Sequence, residues 1–337
     1  MNNRNPLIDI ARGLGVLLII ISHIRTPHSL HELICADVPL MVFCSGLTCY
    51  GKQINLNRGG YCKYLWHRVL RMLIPSYLFI VVFYVFCYGL EYMETGTYTI
   101  DWQDIANGYM LKTDSMMGYL WIIRVFLLIM LITPFLLKIK NINSKYLIPI
   151  LIVCCGVQYL LVCLKDMITD PSLKEFCSDY VLFLTGYSIL FVAGIGMSYV
   201  KTYSIRQLCL SVVFLIVVLG GYVMLYGLPF HVLSQAMKYP PNFWYLMYGM
   251  SFSICVWVVF NRYRKLFSKC KFLEWVGRNT MWLYLWHIIC LRIAWRVSDS
   301  WIVECVALVI VTVLVYGVQY WVVKKSNNRF LTKYFIG

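Results

Sequence analysis

Charge is what this 337-residue sequence has least of: only 13% of its residues are Asp, Glu, Lys or Arg. Soluble domains carry about 25%. With 61% hydrophobic residues beside so little charge, the chain cannot cover itself with a water-facing surface, and lipid must be the solvent for much of its exterior. Acidic residues are scarcer still, 15 against 30 Lys and Arg, for a formal net charge of +15. Such an excess can serve nucleic acid, but its placement points to membrane topology instead, so no nucleic-acid partner is expected. The 14 cysteines include no CxxC pair and no Cys/His set with zinc spacing, so no metal centre is expected. Most, such as Cys44, Cys154, Cys155, Cys209 and Cys255, sit in apolar runs where a thiol acts as a small hydrophobe. Cys35 and Cys177 fall in expected outer loops, where a disulfide would be sought. No small-residue cleavage site follows the first apolar run, which therefore reads as a retained span. Internal repeats and low-complexity linkers are also lacking, and residues 1–337 read as one bundle domain.

Long apolar runs, by contrast, are plentiful. Ten stretches approach the length of about 20 residues that a helix needs to cross a bilayer: 7–24, 33–51, 72–90, 118–137, 146–164, 180–200, 207–227, 242–260, 276–295 and 302–323. The expectation is an all-α polytopic bundle of about ten spans. Loop charges set its orientation. One alternating set of segments holds Arg4, Lys52, Arg58, Lys63, Arg68, Arg71, Lys138, Lys140, Lys145, Lys201 and Arg206. It continues with the run from Arg262 to Arg278 and with Lys324, Lys325, Arg329 and Lys333. The other set holds Glu32, Asp37, Glu91, Glu94, Asp101, Asp104, Asp114, Asp166, Asp170, Glu175, Asp179, Asp299 and Glu304. By the positive-inside rule the basic set is cytoplasmic, which puts both termini in the cytoplasm and requires an even number of spans.

Ionisable residues inside spans are costly, and mark function more often than they do elsewhere. Asp9, Arg12 and His23 fall in the first span. Eleven residues separate Arg12 from His23, three turns plus a small remainder, so they share a face and lie about 16 Å apart along the axis. Asp9 is placed to pair with Arg12 at the cytoplasmic mouth. The plainer reading makes Arg12 a snorkelling anchor and His23 an interfacial residue. Arg68 and Arg71, one turn apart before the third span, form a fork for phosphate oxygens or for anionic lipid headgroups. Arg124, just after Trp121, is expected to point into the bundle. His287 in the ninth span reads first as a packed core residue. The stretch Tyr239-Pro240-Pro241-Asn242-Phe243-Trp244-Tyr245 reads either as a lip for an acceptor, with Asn242 offering hydrogen bonds, or as an interfacial aromatic belt.

Five elements in order make the chain resemble acyltransferase family 3, the integral membrane acyltransferases of cell-surface glycans. They are Asp9-Ile10-Ala11-Arg12-Gly13-Leu14 running to His23; Val38 to Gly46; Arg68-Val69-Leu70-Arg71 with Pro75 and Tyr77; Gly118-Tyr119-Leu120-Trp121 through Arg124 to Pro134; and Gly277-Arg278-Asn279-Thr280 through Tyr284 to His287. The resemblance implies transfer of an acyl group, usually acetyl from acetyl-CoA, to a hydroxyl of a glycan or glycolipid, in the cytoplasmic membrane of a bacterium. It implies no permanently bound cofactor. Arg68, Arg71 and Arg12 would then hold acyl-CoA. His23, supported by Arg12 and Asp9, would act as general base or take the acyl group itself. Arg124, Trp121, Asn242 and His287 would face substrate or the oxyanion. The chain ends soon after the tenth span, and no second catalytic module is expected. A transporter, a glycan exporter and a non-catalytic partner in a glycan assembly are the competing readings. The acceptor, the acyl group and any homo-oligomer are open at this level.

Overall fold

The computed structural model describes residues 5–49, 58–137, 144–200, 202–227, 235–296 and 300–336. It is all-α, with no strand among the described residues. In chain order the helices are α1 (Pro6–Ser22), α2 (His28–Ile34), α3 (Asp37–Leu47), α4 (Arg58–Thr95), α5 (Trp102–Tyr109) and α6 (Trp121–Leu136). Next come α7 (Ser144–Lys165), α8 (Pro171–Phe176), α9 (Phe183–Ser198), α10 (Ile205–Tyr226), α11 (Gln235–Lys238) and α12 (Phe243–Arg262). The last are α13 (Arg264–Phe267), α14 (Lys271–Arg278), α15 (Thr280–Ala294), α16 (Trp301–Ser326) and α17 (Arg329–Phe335). A π-helical turn, Cys177–Leu182, joins α8 to α9. Of the loop charges used for orientation, Arg4, Lys52, Lys138, Lys140, Lys201 and Asp299 lie outside the described residues, as do the side chains of Arg58 and Lys145.

Among the described residues, eight helical segments are long and apolar enough to cross a membrane. Two of the ten expected spans are shorter: α1 has 17 residues and α15 has 15. At 1.5 Å per residue these reach about 26 Å and about 23 Å, against a hydrocarbon core of about 30 Å. The third expected span, 72–90, is the middle of a longer rod, because α4 runs unbroken for 38 residues.

The chain divides into two compact units, Met1–Gln53 with Ile132–Thr280, and Ile54–Leu131 with Met281–Gly337. In the first, α1 packs on α3 and α14, and α3 on α9 and α12. Glycine makes the closest crossings possible. A Cβ on Gly13 would sit 2.1 Å from the Leu273 carbonyl oxygen, and one on Gly277 would sit 1.6 Å from that of Asp9. Gly46 and Gly194 do the same between α3 and α9, each facing a backbone oxygen at 2.1 Å. Helices in lipid gain their association from such contact, since no hydrophobic effect drives them together there. Gln158 adds polar glue: its Nε2 donates to the carbonyls of Leu182 at 2.9 Å and Pro241 at 3.2 Å, and its Oε1 accepts from Thr185 at 2.7 Å.

In the second unit, α17 folds back against its neighbours. Trp282 Nε1 donates to the Tyr334 carbonyl at 2.8 Å, and Gln319 Nε2 to the Phe335 carbonyl at 2.7 Å. Tyr84 ties α4 to α5, its hydroxyl donating to Asp104 Oδ2 at 2.7 Å. All 14 cysteines are free thiols, and Cys35 is buried between α2 and α3.

Candidate active site

Asn5 caps the N-terminus of α1, its side chain accepting from Leu7 N at 3.2 Å, with Pro6 in the first turn, where its missing N–H costs nothing. From this start Arg12 and His23 come to one face, both half-buried. Val16 and Ile19, between them on that face, are buried, so the face is covered by protein and not by acyl chains. Near the α1 start, the buried Asp9 carboxylate lies 3.7 Å from Arg278 Nε. Arg278 also pairs with Glu274, which takes Lys271 at 3.0 Å. Sequence spacing offers Arg12 as the partner of Asp9; the close α1–α14 crossing adds Arg278.

At the other end, His23 caps α1. Its Nδ1 lies 2.7 Å from the Ile19 carbonyl. A carbonyl only accepts, so this bond assigns the proton to Nδ1 and leaves the Nε2 lone pair as the basic position. The neighbouring Ser22 hydroxyl reaches the Ile19 carbonyl at 2.8 Å and Asp37 Oδ2 at 3.1 Å. Asp37, counted from sequence as an outer-loop charge, is 1% exposed at the start of α3. Its Oδ1 takes the Val38 N–H at 2.6 Å and the Lys238 ammonium at 3.4 Å.

Lys238 is 7% exposed and was not singled out from the sequence. A signal was available. The chain has no acidic residue between Asp179 and Glu274, so a buried cation in that stretch must find a distant counter-ion. Burial pulls the Lys238 ammonium down, but Asp37, together with Tyr239 and Cys35, holds the group above its ordinary 10.5. The raised value fixes the sign of the lysine's contribution, which is lost as pH climbs through the higher folded value and the ammonium gives up its proton.

In the expected aromatic lip Pro240, Pro241 and Tyr245 are buried, while Tyr239, Asn242, Phe243 and Trp244 are half-buried. Tyr239 stacks on Phe183 with centroids 6.2 Å apart, and Tyr245 is buried and accepts from the Tyr187 hydroxyl at 3.3 Å. Asn242 caps α12, its Oδ1 accepting from Trp244 N at 3.1 Å. That commits its carbonyl to the helix and leaves its amide N–H groups for other contacts.

In the second unit, Arg124 and Trp121 are each 3% exposed, on the first turn of α6. His287 is fully buried and its Nδ1 bonds the Tyr284 carbonyl, while the Tyr284 hydroxyl donates to the Tyr119 carbonyl. This is how a packed core histidine is held. Arg68 and Arg71 are both exposed on α4, and Arg68 also lies over the Tyr64 ring at 5.9 Å.

An all-α chain with eight described helical segments long and apolar enough to cross a bilayer is a polytopic membrane protein. A family model described as an acyltransferase domain matches residues 5–321, nearly the whole chain. The chain belongs to acyltransferase family 3 and is a membrane acyltransferase. No curated protein and no solved structure matches it.

Proposed function

We propose that this acyltransferase takes an acyl group, acetyl first, from cytoplasmic acyl-CoA and passes it to a hydroxyl of a cell-surface or lipid-linked glycan in the cell membrane. The observation that carries this reading is His23: an imidazole at the end of α1, on the same covered face as Arg12, with Nδ1 bonded to the Ile19 carbonyl. Nε2 takes the proton of the acceptor hydroxyl as its oxygen attacks the thioester carbonyl. A C–O bond forms, the C–S bond breaks, and CoA leaves as a thiolate that receives the proton from the imidazolium. Arg68 and Arg71 on α4 form a fork suited to the phosphates of CoA, and on α1 Arg12 shares with His23 a face along which a pantetheine arm can lie. The Arg12–His23 separation of about 16 Å is of the order of that arm. Arg124, buried on the first turn of α6, is suited to an oxyanion or to an acidic sugar.

The test is purified protein in nanodiscs given labelled acetyl-CoA, with and without membrane glycolipid. Acceptor-dependent transfer supports the proposal; solute movement without thioester loss would make the protein a transporter. Label retained on the protein without acceptor would route the acyl group through His23 itself. Replacing Arg68 and Arg71 together by alanine weakens acyl-CoA binding by about 10–100-fold, the size of one or two lost charge-assisted hydrogen bonds. Unchanged affinity in an equilibrium binding assay would reduce the two arginines to lipid anchors.

A further inference from the structure

Burying an ion pair inside a membrane protein is expensive, and an apolar pair of similar volume often stabilises a fold equally well. Asp37 and Lys238 therefore call for a reason other than stability. Considerable structure is spent on delivering Lys238 to its place. Gln158 holds the Pro241 carbonyl, the Asn242 N–H bonds the Met237 carbonyl at 3.0 Å, and Tyr239 stacks on Phe183. Gly186 leaves room for the Pro241 ring, which a Cβ there would meet at 2.6 Å. The loop is thus fixed on both sides of the lysine.

The pair in turn fixes Ser22. One Asp37 oxygen takes the ammonium and the other takes the Ser22 hydroxyl. Ser22 shares its single proton with the Ile19 carbonyl, the same oxygen that accepts from His23 Nδ1. A continuous polar chain runs from Lys238 through Asp37, Ser22 and the Ile19 carbonyl to the imidazole. We propose that Asp37 and Lys238 are positioning residues: through Ser22 they hold the last turn of α1 so that His23 keeps its Nδ1–H tautomer and presents Nε2 to the acceptor. The proposal rests on His23 being the base. It adds a supporting network from two distant segments of the chain to that role.

The decisive experiment replaces the charges by apolar groups of similar size. The double variant Asp37→Leu with Lys238→Met is compared with Ser22→Ala, Ser22→Thr and His23→Ala, all in nanodiscs with labelled acetyl-CoA. The expected result is a folded double variant whose kcat falls about tenfold or more while KM for acetyl-CoA stays put, the size of one lost hydrogen bond to a charged group. Ser22→Ala shows the same split, and Ser22→Thr, which keeps the hydroxyl, restores kcat. A purely structural pair would leave kcat of the folded double variant at the parent value, and that result overturns the proposal. If the double variant does not fold, Ser22→Ala decides, and parent kcat there overturns it as well. An active His23→Ala would instead remove the catalytic reading beneath it, so the two failures are told apart.

Discussion

Replacing His23 by alanine lowers acyl transfer by about 10²–10⁴-fold, the usual worth of a positioned general base, while the protein stays folded and inserted. The second half of that expectation follows from where the side chain sits. His23 is half-buried at the end of α1, and its ring bond goes to its own helix, at Ile19. The backbone N–H that closes the last turn on the Ile20 carbonyl at 3.3 Å belongs to any residue. Loss of the ring therefore removes chemistry without opening a core. Glutamine in its place keeps polarity but supplies no base, so His23→Gln should be as inactive as His23→Ala. Labelled transfer measures the activity, and elution as a single species in detergent checks the fold. Full transfer by either variant would take His23 out of the reaction.

Gly277→Ala is expected to be the most damaging single methyl in the first unit. The added Cβ would fall 1.6 Å from the backbone oxygen of Asp9, and no side-chain rotation relieves a clash with backbone. α14 must move off α1, at a cost of about 1–3 kcal/mol typical of overpacking and sometimes more. The movement also pulls Arg278 away from Asp9, which leaves a buried carboxylate short of a cation. Gly317→Ala is the matched control. Nothing lies within 4 Å of a Cβ at Gly317, and alanine is the better helix former, so its thermal midpoint in detergent should equal or exceed the parent's. Equal midpoints for the two variants would show that the α1–α14 crossing is looser than its geometry.

What the sequence made legible was what depends on period and composition. Apolar runs of spanning length and the shared face of Arg12 and His23 follow from a rise and a pitch, and α1 keeps both in the structure. Arg68 and Arg71 fall within one continuous helix for the same reason. What stayed hidden depends on tertiary meetings between segments far apart in the chain. Asp37 and Lys238 are 201 residues apart, and no spacing rule joins them. Asp37 was counted with the loop acids because a charge beside an apolar run usually marks its end. The Arg278–Asp9 contact was hidden in the same way, since only two facing glycines bring α14 that close. The aromatic stretch around Asn242 left two readings open because rings at a span boundary serve lipid and core alike, and the packing of Tyr239 on Phe183 and of Tyr245 on Tyr187 is visible only in the structure.

The rod of α4 carries one more implication. Its 38 residues extend about 57 Å, nearly twice the hydrocarbon thickness of about 30 Å. Pro75 sits within it, and its ring lacks the N–H that would serve the carbonyl four residues earlier, at Arg71. The weakest rung of the ladder thus falls at the base of the arginine fork. A helix of this length cannot lie wholly within the hydrocarbon, so part of α4 must extend beyond it, and the rung missing at Pro75 is where such a rod bends most easily.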